Sequence, residues 1–296
     1  MRVNAYAKIN WCLRILSREV DGYHKIATLF QSVSLKDTLV FKKITEGFSF
    51  STNSEVIPKD SANLVLRAVE ALCNKIKKVP SGLEVFLEKN IPVEAGLGGG
   101  SADAAVALNA LNVLWKLGLP EKELLKIASA IGADVSFNVK GGLAEGLGRG
   151  EKLKFYSLRR QYRIIIVKPN IGVSTKWAYE EFDKINAEPV SLASAKEDMK
   201  NLIAALNASD FENIKKYAVN DFEKVVYPKY PQIENIKNKL IKTGALAALL
   251  SGSGSSVFGV FENKEKTEKA FKHFSEKKNI KAFITETVRG LASQKL

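Results

Sequence analysis

Histidine and cysteine are the scarce residues of this chain: 296 residues include only His24, His273, Cys12 and Cys73. That scarcity excludes a cysteine-rich zinc module and a disulfide framework. It also argues against a Ser-His-Asp or Cys-His hydrolase, because only two imidazoles exist to serve as base. Any catalysis is expected to rest on carboxylate, lysine, hydroxyl and backbone groups. Long hydrophobic runs are missing as well. No apolar stretch approaches the ~20 residues that cross a bilayer. The N-terminal MRVNAYAKINWCLRIL interrupts its apolar residues with Lys8, Asn10 and Arg14, so it lacks a signal-peptide core. A cytoplasmic protein with no membrane partner is the expectation.

Apolar residues and positive charge are plentiful. A hydrophobic fraction of 46% supports one or two cored domains, and the formal net charge is +13. Much of that charge comes from lysines in the second half, as in ENKEKTEKAFKHFSEKKNIKAF, which reads as a solvated helix face. No motif or aromatic-basic stripe marks a nucleic-acid surface, so no nucleic-acid partner is expected. A positive field does suit an anionic small substrate.

Residues 2–15 alternate like a strand, with Val3, Ala5, Ala7, Ile9, Trp11, Leu13 and Ile15 on one face. Tyr6, Lys8, Asn10, Cys12 and Arg14 take the other, so Lys8 and Asn10 project together. DGYH (21–24) reads as a turn and TLVFKKI as a strand. SANLVLRAVEALCNKIKK carries helical spacing behind a Ser61 cap, which makes Cys73 a core residue. LEVFLEKNI is a strand, 121–130 a helix after Pro120, and short strands follow through GGLAEGLGRGEKLKF. The polar SLRRQ (157–161) marks a boundary between domains 1–158 and 159–296. Beyond it come strand RIIIVKP, helices to about residue 243, the pair ALAALL and SSVFGVF, helix 264–277 and strand KAFITETV. With the inserted helices set aside, the order is β-α-β-β-α-β, ferredoxin-like.

The densest signal is PVEAGLGGGSA, Pro92 to Ala102, where four glycines fall between Gly96 and Gly100. A bare loop before a helix offers unpaired N–H groups and the positive end of the helix dipole, both suited to phosphate oxygens. Glycines let the backbone approach the anion, and alanines allow tight packing behind it. Ser101 at the helix start suits a cap, or a hydroxyl for a phosphate or its Mg²⁺. The Walker pattern is absent, since no lysine precedes Ser101. The dinucleotide pattern fails too, with Ser101 where its third glycine belongs.

PVEAGLGGGSADAA resembles the phosphate loop of the GHMP kinases. AKIN in the first strand and LLSGSGSSVFGVF near the C-terminus resemble the other two motifs of that superfamily, in the right order. DGYHKIATLFQSV and GADVSF narrow the resemblance, over essentially the whole chain, to the 4-diphosphocytidyl-2-C-methyl-D-erythritol kinases. The resemblance implies an α+β, two-domain GHMP-kinase fold: an N-terminal ATP-binding α/β domain, and a C-terminal ferredoxin-like domain with helical insertions. It implies Mg²⁺-assisted transfer from ATP to the 2-hydroxyl of a cytidyl diphosphate alcohol, in a cleft between the domains. A kinase of another small alcohol, homoserine or mevalonate, is the alternative, and DGYH speaks against it. Oligomeric state is not legible.

Site residues follow from the same resemblance. Asp134 in GADV accepts the hydroxyl proton, and Lys8 pairs with it and with the transferred phosphoryl group. Pro92, Val93, Glu94, Ala95, Gly96, Leu97, Gly98, Gly99, Gly100, Ser101 and Ala102 hold ATP, with Ser101 near Mg²⁺. Tyr23 and His24, with Asn10, bind the cytosine, and Tyr179 forms the opposite wall. Without the resemblance, Asp134 is a turn or cap, Lys8 a solvated side chain and Tyr179 a helix-core residue. SGSGSS (251–256) is then a tight turn, and GLGRG (146–150) reads only as a turn. Two positions depart from the family pattern: Ser136 replaces the usual proline, and Ala102 a common second serine.

Overall fold

The computed structural model describes residues 1–77, 82–185 and 187–290. Its frame is a pair of long antiparallel strands, β1 (Arg2–Arg18) and β2 (His24–Lys43). The alternation expected of β1 is interrupted by register shifts between Tyr6 and Lys8, Asn10 and Cys12, and Ile15 and Ser17. Each extra residue re-aims the side chains that follow it. Cys12 therefore leaves the polar face expected for it and packs in the same apolar cluster as Trp11. Burial pushes its thiol up to about 12, which removes it as a nucleophile. Residues 7–13 are all buried, so Lys8 and Asn10 look into the molecule.

The other edge of β2 is shared between two partners. Residues 38–43 pair with β4 (Leu83–Glu88), and residues 26–31 with β5 (Leu143–Gly148). β3 (Phe48–Thr52) adds in parallel to β4, and β6 (Lys152–Tyr156) adds antiparallel to β5. Four helices cover this sheet: α1 (Leu64–Ile76), α2 (Gly99–Leu114), α3 (Glu121–Ile131) and α4 (Ala133–Lys140). Ala104, Ala105 and Ala107 bring α2 close against Val3, Ala5, Leu39 and Val85. The cap of α1 is Asn63, not Ser61; its side-chain oxygen accepts the Val65 N–H at 2.9 Å.

The second sheet contains β7 (Arg163–Pro169), β8 (Ala247–Leu250), β9 (Val257–Phe261) and β10 (Ile280–Glu286). Its order is β10-β7-β9-β8, antiparallel throughout, which is the ferredoxin-like arrangement. Helices α5 (Thr175–Lys184), α6 (Leu192–Ala208), α7 (Phe211–Tyr217), α8 (Glu223–Lys229) and α9 (Pro231–Lys242) lie between β7 and β8. α10 (Lys264–Ser275) precedes β10. The run Ile164-Ile165-Ile166-Val167 matches the burial of both faces of β7. Ile164 and Ile166 join a cluster with Ile9, Trp11, Leu29 and Met199, whereas Ile165 and Val167 join one with Phe182, Ile233 and Leu240. Among the described residues no helix is long and apolar enough to cross a membrane.

Candidate active site

The glycine loop is gripped from two sides. On one, the Lys8 N–H of β1 donates to Leu97 O at 2.9 Å. On the other, Ser251 Oγ donates to Gly96 O at 3.0 Å and the Ser256 N–H to Ala95 O at 3.2 Å. First strand, loop and late turn, remote in sequence, thus meet at one place. Glycine is required there by contact and by backbone alike. Gly96 has φ +71°, and a Cβ on it would lie 1.9 Å from Ser251 O. Gly98 has φ +64°, and a Cβ would lie 3.0 Å from Lys8 Cγ and 3.5 Å from Asp134 Oδ2.

The polar pair of β1 and the carboxylate of α4 meet beside that loop. Lys8 Nζ donates to Asn10 Oδ1 at 2.8 Å and lies 3.4 Å from Asp134 Oδ2. Asn10 Nδ2 donates to Thr28 Oγ1 at 2.8 Å, and Thr28 Oγ1 donates to Cys12 O at 2.7 Å. Both ends of the Asn10 amide are thus occupied, and its visible task is to orient Lys8. The Lys8 side chain is only 5% exposed, while that of Asp134 is 35% exposed. Asp134 sits in the first turn of α4, where the helix dipole favours a carboxylate. The sequence reading left α4 unassigned. Ser136, in the same helix, is buried, and its hydroxyl has no partner among the described residues.

Lys8, Asp134 and the loop line a cleft of about 1780 Å³, together with His24, Tyr23 and Tyr179. His24 Nε2 lies 2.7 Å from Asp183 Oδ1, and Arg18 Nη1 lies 3.3 Å from the other oxygen of that carboxylate. The imidazole stacks flat on Tyr179, with centroids 4.6 Å apart and planes 11° apart. Tyr179 in turn meets Phe222 edge-on at 4.8 Å. Burial, with the Asp134 charge adding to it, raises the Tyr179 phenol above its usual range. Tyr179, expected as the wall opposite Tyr23, lines the same cleft and carries the His24 ring on one face. Tyr23 instead carries Arg149 on its ring, with the guanidinium carbon 3.9 Å from the centroid.

Within the loop, side chains and backbone divide their tasks. Ala95, Leu97 and Ala102 are buried, and their side chains pack inward. Ala102 thus contributes packing from its side chain, and its N–H is bonded to Gly98 O at 2.9 Å. Every loop residue from Pro92 to Ser101 nonetheless lines the cleft, and Ala102 does not. The cap of α2 is Gly98, which places Ser101 inside the first turn rather than at the cap.

Three features escaped the sequence reading. Asn220, buried before α8, donates through Nδ2 to Leu250 O and Gly252 O, both at 2.8 Å, and so fixes the late turn. Lys89 pairs with Asp37 and, at 3.0 Å, with Asp103, beneath the loop; a Cβ on Gly99 would lie 2.8 Å from Lys89 Nζ. Burial pushes the Asp103 carboxyl up to about 8 against the pull of Lys89. Arg149 is the third. An Asn-Asp pair, a Lys at the end of a strand run and an Arg between glycines all read as turn or surface residues, so the sequence carried no signal for them. Among the described residues no group of three His, Cys, Asp or Glu side chains is arranged to hold a metal.

Comparison with known proteins gives the family and the fold. The model described as GHMP kinases N terminal domain matches residues 63–145, and GHMP kinases C terminal matches residues 202–280. A 4-diphosphocytidyl-2-C-methyl-D-erythritol kinase of Thermodesulfovibrio yellowstonii is 41% identical, over 91% of this chain and 93% of its own. The protein of the same name from Clostridium acetobutylicum is 36% identical, over 97% and 100%. A crystal structure of 4-(cytidine 5'-diphospho)-2C-methyl-D-erythritol kinase superposes with TM-score 0.82 at 29% identity, covering 97% of this chain and 99% of that one. A homoserine kinase from Cytophaga hutchinsonii, at 21% identity and TM-score 0.74 over 98% and 95%, shares the fold. The chain belongs to the GHMP kinases and, within them, to the 4-diphosphocytidyl-2-C-methyl-D-erythritol kinase family.

Proposed function

We propose that this chain transfers the γ-phosphoryl group of ATP to the 2-hydroxyl of 4-diphosphocytidyl-2-C-methyl-D-erythritol, forming the 2-phosphate and ADP. The observation that carries the reading is the Lys8–Asp134 pair at 3.4 Å, beside Gly98 and in one cleft with the His24–Tyr179 stack. Phosphoryl transfer asks the protein mainly to position the reactants and to neutralise charge. The N-terminus of α2 offers backbone N–H groups to the phosphates. Lys8 has three N–H donors; Asn10 accepts one and the Asp134 carboxylate pairs with the ammonium, which leaves a donor for a phosphoryl oxygen. Asp134 accepts the proton of the attacking hydroxyl.

Mg²⁺ prefers oxygen ligands and takes few of them from protein when it travels with phosphates. The Ser101 hydroxyl, which lines the cleft in the first turn of α2, fits that donor set. Bound there, the ion would neutralise charge on the β- and γ-phosphates. The cytidyl end belongs to Tyr23 and His24. With Nε2 held against Asp183, the His24 ring is fixed in the cleft, and its Nδ1 edge is the one left to meet the polar edge of cytosine.

An ADP-release assay across candidate alcohols tests the proposal. The cytidyl alcohol should be phosphorylated, and homoserine, mevalonate and free methylerythritol should not. Efficient turnover of homoserine or mevalonate would sink the substrate assignment and spare the superfamily.

A further inference from the structure

The turn between β1 and β2 lifts Tyr23 into solvent, where it is 59% exposed. An exposed ring samples rotamers in picoseconds to nanoseconds, and ordering it on binding costs affinity. One face of this ring is already covered. Arg149, on the turn between β5 and β6, lays its guanidinium carbon 3.9 Å from the ring centroid. That guanidinium is itself tethered: Nη2 pairs with Asp21 and lies 3.7 Å from Glu19 Oε2. The turn beneath it is fixed as well, since the Arg149 N–H donates to a Glu151 carboxylate oxygen at 2.7 Å. Asp21 thus fixes the guanidinium, with Glu19, which also pairs with Lys25 at 3.2 Å, behind it.

We propose that Arg149 is a positioning residue for substrate selection, holding the Tyr23 ring by one face so that the opposite face receives the cytosine. This rests on the reading of Tyr23 as a base-stacking residue. A planar guanidinium both stacks on an aromatic ring and attracts its negative face, and fixing the ring before binding removes part of the ordering cost. The side chain acts through Tyr23 and needs no contact with substrate.

Titration calorimetry and steady-state kinetics on Arg149→Ala, Tyr23→Ala and the double variant test this, with Arg149→Met as a second variant that keeps the apolar stem. Arg149→Ala should weaken binding of the cytidyl alcohol about fivefold, a change of the size expected for a lost exposed cation–π contact. The loss should appear in KM for that alcohol and not in kcat or in ATP affinity. In a Tyr23→Ala background the same substitution should add nothing. An equal loss in both backgrounds, or a parallel loss of ATP binding, overturns the proposal. If the unmodified protein does not bind the cytidyl alcohol, the proposed function fails. If it binds and Tyr23→Ala weakens it while Arg149→Ala and Arg149→Met do not, only the positioning role fails.

Discussion

The ammonium of Lys8 donates to Asn10 and is ion-paired with Asp134, and the proposed transfer places a phosphoryl oxygen beside that pair. Asp134→Asn should leave both substrates bound and slow turnover by roughly 10²–10⁴-fold if proton acceptance is the main loss. Lys8→Met should be similarly impaired, and the double variant far less than additive if the pair acts as a unit. Near-normal single-turnover rates in Asp134→Asn would remove the role. The loop glycines are not equivalent either. Gly98→Val forces a branched side chain into a φ of +64° and against Lys8, so nucleotide affinity and turnover should both fall. Gly100→Ala meets only Leu64 Cδ1 at 3.6 Å and should be tolerated, with calorimetric ATP affinity as the measure for both. Asp103 gives a pH signature. Unfolded, a carboxyl titrates near 4; folded, this one is pushed up to about 8. Between those values the folded state holds a proton that the unfolded chain has released, so stability should fall as pH rises. Thermal melts across that window should show a shallower decline for Asp103→Asn, and an identical decline would locate the dependence elsewhere.

At the scale of elements, β1, β4, β7, α3 and the hairpin strands β8 and β9 were legible because hydrophobic period and punctuation agreed. β2 was not, apart from its last residues. Both of its faces are buried from Ile26 to Val33, so alternation vanishes, and Thr28 and Gln31 are accommodated inside by hydrogen bonds to Cys12 O and Val288 O. Helix α4 has only eight residues and follows directly on Gly132, too short for a period to declare itself. The candidate site was legible through its three motifs, and the way the motifs are held together was not. That support lies in elements with no motif, and Asn220 is the clearest case. Asn220→Ala strands two buried carbonyls, Leu250 O and Gly252 O, at about 1–3 kcal/mol apiece. A Cβ on Gly252 would lie only 3.3 Å from Lys8 Nζ, so loosening this turn should disturb the ammonium too. Urea unfolding and kcat should therefore fall together. A variant with lower stability and unchanged kcat would confine Asn220 to the fold.

Over the whole molecule the two sheets are divided in sequence but not in core. The chain leaves β6 at Tyr156 and enters β7 at Arg163. Yet Ile9, Trp11 and Leu29 of the first sheet share one cluster with Ile164, Ile166 and Phe258 of the second. Trp11 meets Tyr162 and Phe258 edge-on, at 5.7 and 5.6 Å. β1 reaches further still: its Leu13 N–H donates to Val219 O at 2.8 Å, and its Ile15 N–H to Asp221 Oδ2 at 3.0 Å. The strand that carries Lys8 is thus held by both halves, and the cleft depends on their remaining joined. Exposing each of Ile9, Trp11 and Leu29 would forfeit about 1.5–3 kcal/mol. The total is comparable to the roughly 5–15 kcal/mol by which a domain is stable at all. Residues 1–158 produced alone should therefore bind a hydrophobic dye and melt without a cooperative transition, whereas the full chain should melt in one. A sharp, independent transition in that fragment, with Trp11 still shielded from a fluorescence quencher, would show that the shared core is dispensable and the halves are separate folding units.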